Sequence, residues 1–251
     1  MRRLLAPLLL LACAAAPAVG AQAPVLRPGS GMQTDYIQPR ADTFDLFLGG
    51  RTLGTPDGTL MLDTRLATVG GPAAIVRLEM LRIGVGVAQV DSFVLVRATL
   101  APLSSHAEGI SVDRSLHFAG GRVRGWTRDG EGRDGKGRDS VDVALPDPVF
   151  LSSSMDLVLG ALPLRAGYTA KLALYVDGEG VTTARVQVAE PEEVTVPGGQ
   201  VRAWPVTVRG SGADGTYWME DGARTLVQFV TADRGMRIVR NRGAGERMAA
   251  R

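Results

Sequence analysis

The sequence predicts an all-β protein, mainly antiparallel, with one short helix packed on the sheet. Three observations carry that prediction. Runs of Val, Leu, Ile and Thr recur at strand length along most of the chain, divided by glycine- and proline-bearing turns. Within the runs, side chains alternate between two faces: Arg202, Trp204, Val206 and Val208 share one, Val201, Ala203, Pro205 and Thr207 the other. The connections are also too short for parallel crossovers, which predicts antiparallel neighbours throughout.

Composition agrees. The 251 residues include 32 Gly and 14 Pro, spread as single turn signals instead of gathered into a linker. At 45% hydrophobic the chain can bury a sizeable core, and with only 5% aromatics that core must be mostly Val, Leu and Ala. The formal charge is +2, and setting aside Arg2 and Arg3 leaves bases and acids balanced. Such a charge gives no reason to expect a nucleic-acid partner.

Residues 1–20 read as a secretory signal peptide: Arg2-Arg3, the apolar run Leu4–Ala12, and Ala18-Val19-Gly20 as a small-x-small site before Ala21. The run is too short to span a bilayer, so an exported mature protein without a transmembrane span is expected, periplasmic or extracellular. Cys13, the only cysteine, follows Leu10-Leu11-Ala12 and resembles a lipobox. Lipidation there would make the protein a membrane-anchored lipoprotein; cleavage after Gly20 would leave no thiol and no disulfide.

Residues 21–40 lack periodicity and read as a disordered lead-in. Residues 41–240 read as a single β domain. Strands are predicted at Thr43–Leu48, Thr59–Thr68, Ala73–Ile83 and Val85–Arg97, then as a meander at Leu103–Glu108, Ile110–Phe118 and Arg122–Arg128. Asp129–Ser140 is a charged, glycine-rich loop before Val141–Leu145. Ser152–Leu162 is the one helix, with a serine N-cap, an apolar face of Met155, Val158, Leu159 and Leu162, and Pro163 as its stop. Gly167–Val176 and Val181–Glu190 form a hairpin through Asp177-Gly178. Four further strands follow: Val194–Val196, Gln200–Arg209, Thr216–Met219 and Arg224–Val230. Pro205 predicts an edge or bulge position for its strand. The basic stretch through Arg234, Arg237 and Arg240 reads as a solvated, partly frayed end, and 241–251 as a flexible basic tail.

The chain carries few motifs with chemistry. Gly130, Gly132, Gly135 and Gly210, Gly212, Gly215 match G-x-G-x-x-G but lack the strand-before, helix-after context of a dinucleotide site. Asp129–Gly135 fails the calcium-loop register at Arg133. His106 and His117 fall on neighbouring strands near Asp113 and Glu108, but two histidines make an incomplete zinc set. No G-x-S-x-G elbow or facing carboxylate pair is present, so no catalytic residue, metal or cofactor is assigned and no enzyme is predicted. Trp204, Tyr217 and Trp218 remain. They read either as core packing or as the wall of an apolar cavity, and in the second case they are the candidate ligand-binding residues.

The closing third resembles the bacterial envelope proteins grouped as domain-of-unknown-function family 3108. The resemblance rests on Val194-Thr195-Val196-Pro197-Gly198-Gly199, on Val201-x-Ala203-Trp204-x-Val206, on Gly215-Thr216-Tyr217-Trp218 and on Thr225-Leu226-Val227. It implies a curved sheet or incomplete barrel, similar to the half-barrels of lipoprotein carriers that wrap a sheet around a helix and shelter acyl chains. Non-catalytic binding of an apolar or lipidic envelope ligand is the expectation that follows. The alternative is a structural or protein-interaction module of the cell envelope with no small-molecule ligand.

Overall fold

Alternation and glycine turns lay the chain down as hairpin after hairpin, and the result is one sheet of 17 strands among the described residues. The computed structural model describes residues 23–51, 54–110, 112–129, 137–210, 212 and 214–241. An amino-terminal meander comprises β2 (Arg40–Leu48), β3 (Gly58–Thr68), β4 (Ala73–Ile83), β5 (Gly86–Val96), β6 (Pro102–Gly109), β7 (Val112–Ala119), β8 (Arg122–Asp129) and β9 (Asp139–Ala144). Each pairs antiparallel with the next. A second run comprises β11 (Thr169–Val176), β12 (Gly180–Val188), β13 (Glu192–Val196), β14 (Gly199–Arg209), β15 (Gly215–Glu220), β16 (Leu226–Thr231) and β17 (Met236–Arg240). β17 pairs with β2 and thereby joins the two runs.

Two short strands differ from the antiparallel expectation. β1 (Val25–Leu26) and β10 (Phe150–Leu151) both pair parallel with β11, so the sheet is mixed. Its order starts at β1 and β10, ends at β9, and does not close on itself. Five residues carry the chain from β9 to β10 and reach at most about 20 Å, so the sheet must curl until its ends are neighbours. Contacts across the curl agree: Phe118 of β7 meets Tyr175 of β11 edge-on, with ring centroids 5.5 Å apart.

The helix fills the curl. A 3-10 turn (Ser152–Ser154) leads into α1 (Met155–Gly160), shorter than the expected Ser152–Leu162. All of its residues except Asp156 are buried. No serine caps it through its side chain; the Ser154 hydroxyl instead donates back to the Leu151 carbonyl at 2.8 Å. The concave face packs on α1 through Phe44, Ile75, Phe93, Leu95, Leu116, Leu172 and Leu174, all at most 2% exposed. A second apolar cluster covers the opposite face where β13 and β14 meet β16, β17 and β2: Phe47, Val194, Val196, Val201, Ala203, Val227 and Val239.

Three sequence expectations change. The lead-in is packed from Ala23 onward: β1 joins the sheet, Gln33 N–H donates to the Ala161 carbonyl at 3.1 Å, and Ile37 is 2% exposed. The basic stretch at 234–240 is not frayed, because β17 lies between β16 and β2 and Arg240 is 5% exposed. Pro205 is on neither an edge strand nor a bulge. It sits where β14 changes partner on one side, from β13 up to Ala203 to β12 from Val206. Its missing N–H falls in that gap, while its carbonyl accepts from Ala189 N–H at 2.9 Å. The tail 242–251, the signal segment with Cys13, and the glycine loop 130–136 lie outside the described residues.

Candidate functional site

The three aromatic candidates do not share a face. Trp204 and Tyr217 point to the concave side and Trp218 to the convex one, as alternation on β14 and β15 requires. Tyr217 is 6% exposed and stacks on Phe229 with centroids 4.3 Å apart. Burial pushes its hydroxyl well above the ordinary phenol range. Trp204 is half-buried, opposite Met219, and its indole N–H donates to Asp221 at 3.0 Å. Trp218 packs on the outer cluster, and its indole N–H donates to Glu192 at 2.6 Å.

His106 and His117 are both exposed and are not direct partners: His106 lies opposite Ser115, His117 opposite Ser104. Asp113 is held elsewhere, bonded by Arg128 and accepting from Gly109 N–H at 3.2 Å. No group of three metal-ligating side chains occurs among the described residues.

Inside the curl lies a layer of charge that no sequence motif marks. Arg77 and Glu79 occupy inward positions of β4 between Ile75 and Leu81. Register places Asp91 of β5 opposite Glu79. Arg114 of β7 reaches across to Asp177 at 2.9 Å and also approaches Asp91 at 3.6 Å. Arg77, 2% exposed, donates to Asp156 of the helix. Glu79 is pushed up to about 8, first by removal from water, then by Asp156 and Asp91, with Arg77 and Arg114 opposing. Burial likewise raises Asp91, against Arg114. One signal was available: Asp91 alternates in step with Phe93 and Leu95, so a carboxylate was marked for the inner face.

Near this layer a cavity of about 20 Å³ is bordered by Tyr36, Arg77, Thr64, Asp156, Arg224 and Thr225. That is room for about one water molecule. Thr64 Oγ1 and Arg77 Nε are buried there without a protein hydrogen-bond partner, so a water has groups to satisfy. The interior therefore combines packing with ion pairing and leaves a water-sized space beside Arg77 and Asp156. A substrate would not fit that space.

Larger concavities open outward. One of about 290 Å³ is lined by Pro102, Phe118, Leu145, Pro146, Pro148 and Val149, under the link from β9 to β10. Arg122 and Asp147 are the charged residues at its border. Arg122 pairs with Asp142 at 2.8 Å, and Asp147 with Arg27 at 2.8 Å, so neither charge is left uncompensated. A second, about 310 Å³, lies against the outer face of β11, β12 and β14.

A search of curated proteins finds no match to the chain. Among solved structures, a β-barrel-like protein of domain-of-unknown-function family DUF1849 from Brucella abortus is similar at 12% identity, covering 81% of this chain and 95% of its own, with a TM-score of 0.45. No helix among the described residues is long and apolar enough to cross a membrane. The family model described as Protein of unknown function (DUF3108) matches residues 51–238, well beyond the closing third that carries the motif, and the chain belongs to that family.

Proposed function

We propose that this protein is a non-catalytic binding module for an apolar or lipidic ligand, and that the ligand lies in the cleft beneath the β9–β10 link. The supporting observation is that cleft itself: about 290 Å³ of space walled by Phe118, Leu145, Val149 and three prolines, with its two border charges already paired. Its size is at the lower end for small-molecule sites, and the mix of many apolar walls with few polar groups is usual for them. The space beside Arg77 and Asp156 holds about 20 Å³, which argues against a ligand there. Trp204 and Tyr217 then serve as wall packing of the curl, with Trp218 as cover for the outer cluster.

The reading carries an address with it. Met1–Gly20 directs export, and the ligand would be met in the cell envelope, with the protein either free after cleavage or anchored through Cys13. The mass of the protein recovered from an envelope fraction separates these: an Ala21 start gives the free form, an acylated Cys13 the anchored one.

Native mass spectrometry of envelope-purified protein, followed by organic extraction, tests the binding. The expected result is a bound lipid at one per chain that is lost in Leu145→Arg with the circular dichroism spectrum unchanged. A bare mass in repeated preparations, together with no saturable uptake of a fluorescent fatty acid, would sink the proposal. The alternative, a protein-interaction module, is favoured by β9, whose outer edge pairs with no strand among the described residues and whose side chains are largely exposed. Asp139 and Asp142 on that strand are the kind of charge that discourages non-specific edge pairing.

A further inference from the structure

Three cations stand in line across the outer face of β11, β12 and β14. Lys171 is the register partner of Arg185, and Arg185 that of Arg209. With strands about 4.8 Å apart, the row spans about 10 Å. Like charges set directly opposite one another in a sheet repel and destabilise it, and Arg185 is flanked on both sides. Nothing in the described residues relieves this. Arg114, Arg122 and Arg240 take carboxylate partners, whereas none of the three cations in the row forms an ion pair with a described residue.

A second row lies two residues along the strands on the same face. Thr169 partners Gln187, and Gln187 partners Thr207, each a neutral side chain able to donate a hydrogen bond. The two rows together floor the cleft of about 310 Å³, and no acidic residue lines it. Two guanidinium forks, an ammonium and three neutral donors suit the oxygens of a tetrahedral oxyanion, which guanidinium groups grip bidentately.

We propose that this cleft is a binding site for a phosphate group, carried by an anionic lipid headgroup or by a soluble phosphate ester. The bound anion cancels the repulsion within the row, so occupancy and stability rise together. The site is on a different face from the apolar cleft and does not depend on it.

The experiment uses the full exported chain with inorganic pyrophosphate in calorimetry, and with phosphatidylglycerol or phosphatidylcholine vesicles in co-sedimentation. Wild type should bind saturably, and the triple variant Lys171→Gln, Arg185→Gln, Arg209→Gln should bind at least tenfold more weakly. In anion-free buffer the triple variant should melt above wild type, which also shows that it folds, and pyrophosphate should raise only the wild-type midpoint. Binding of pyrophosphate assigns a soluble phosphate ligand; binding to phosphatidylglycerol vesicles alone assigns a headgroup. Absence of both, or equal binding by the triple variant, overturns the site.

Discussion

Arg77, on β4, donates a hydrogen bond to Asp156, on α1, across the interior of the curled sheet. Their side chains are 3% and 13% exposed, so this ion pair ties the buried helix to the wall largely out of water. Removing one member leaves the other charge buried without its hydrogen-bonded partner. Asp156→Asn should cost about 3–5 kcal/mol in urea unfolding, whereas the double change Arg77→Met, Asp156→Leu should recover most of that loss. Equal losses for the single and double variants would show that the pair adds net stability beyond satisfying its own desolvation.

Glu79 predicts a pH dependence of definite sign. Its carboxyl is held near 8 in the folded protein against 4.5 when free, so the native state binds the extra proton. The stability this contributes is complete below pH 4.5, declines as pH rises, and is gone above about pH 8. Asp91, also raised, acts in the same direction, while Arg77, Arg114 and Asp156 are the other charges that face the group. Glu79→Gln should flatten that decline and melt above wild type at pH 9, by on the order of a few kcal/mol. A wild-type midpoint that climbs between pH 5 and pH 8 at the Glu79 step would contradict this.

Arg224 clamps the end of the helix. Its Nε donates to the Gly160 carbonyl at 2.8 Å, and a second guanidinium N–H reaches the Leu162 carbonyl. Its own backbone is in the left-handed region at φ 58°, a conformation that favours glycine. Arg224→Ala should therefore lose about 1.5–3 kcal/mol from the charged hydrogen bonds. Arg224→Gly should lose less, because it relaxes the turn while removing the same bonds. Gly160→Ala reports on the same contact from the other side, since an added Cβ would lie 2.3 Å from the Arg224 carbonyl oxygen and 2.5 Å from the Tyr36 hydroxyl. It should destabilise by about 1–3 kcal/mol through overpacking.

Arg240 and Arg122 are both arginines in ion pairs, but only the first is buried. Arg240 meets Glu220 at 2.6 Å and the Thr225 hydroxyl at 3.0 Å, with its side chain 6% exposed. Arg240→Ala should cost about 3 kcal/mol or more by removing a buried guanidinium together with its ion pair and its hydrogen bond to Thr225. Arg122→Ala, whose pair with Asp142 is on the surface, should leave the unfolding midpoint unchanged within error.

Much of the sheet is legible in the sequence because its determinants are local. Ala73–Ile83 is found with the expected ends, and most other strands differ by a few residues. Alternation and glycine turns act within a hairpin, where both partners are near in sequence. β17 escapes for the opposite reason. Its five residues include two arginines, and one of its two partners is β2, nearly two hundred positions earlier. The two-residue strands β1 and β10 are too short to show any period. The clefts are hidden because no motif marks them: Phe118 and Leu145 come together through the pairing of β7, β8 and β9, and Lys171, Arg185 and Arg209 align only through register. The resemblance in the closing third indicates the family, while Trp204, Tyr217 and Trp218, grouped by sequence as one candidate wall, fall on two faces of the sheet.

The position of β17 also constrains when the molecule can fold. The pairing of β2 with the second run waits until residue 240 has been made and has left the ribosome, since β17 is the strand between β16 and β2. Up to that moment β2 and β16 are open edges on two unfinished half-sheets, the kind of surface that pairs with other chains. The joining contact also closes a very long loop, which makes for slow, late docking and not for folding as the chain emerges. Such a chain needs shielding until the last hairpin arrives.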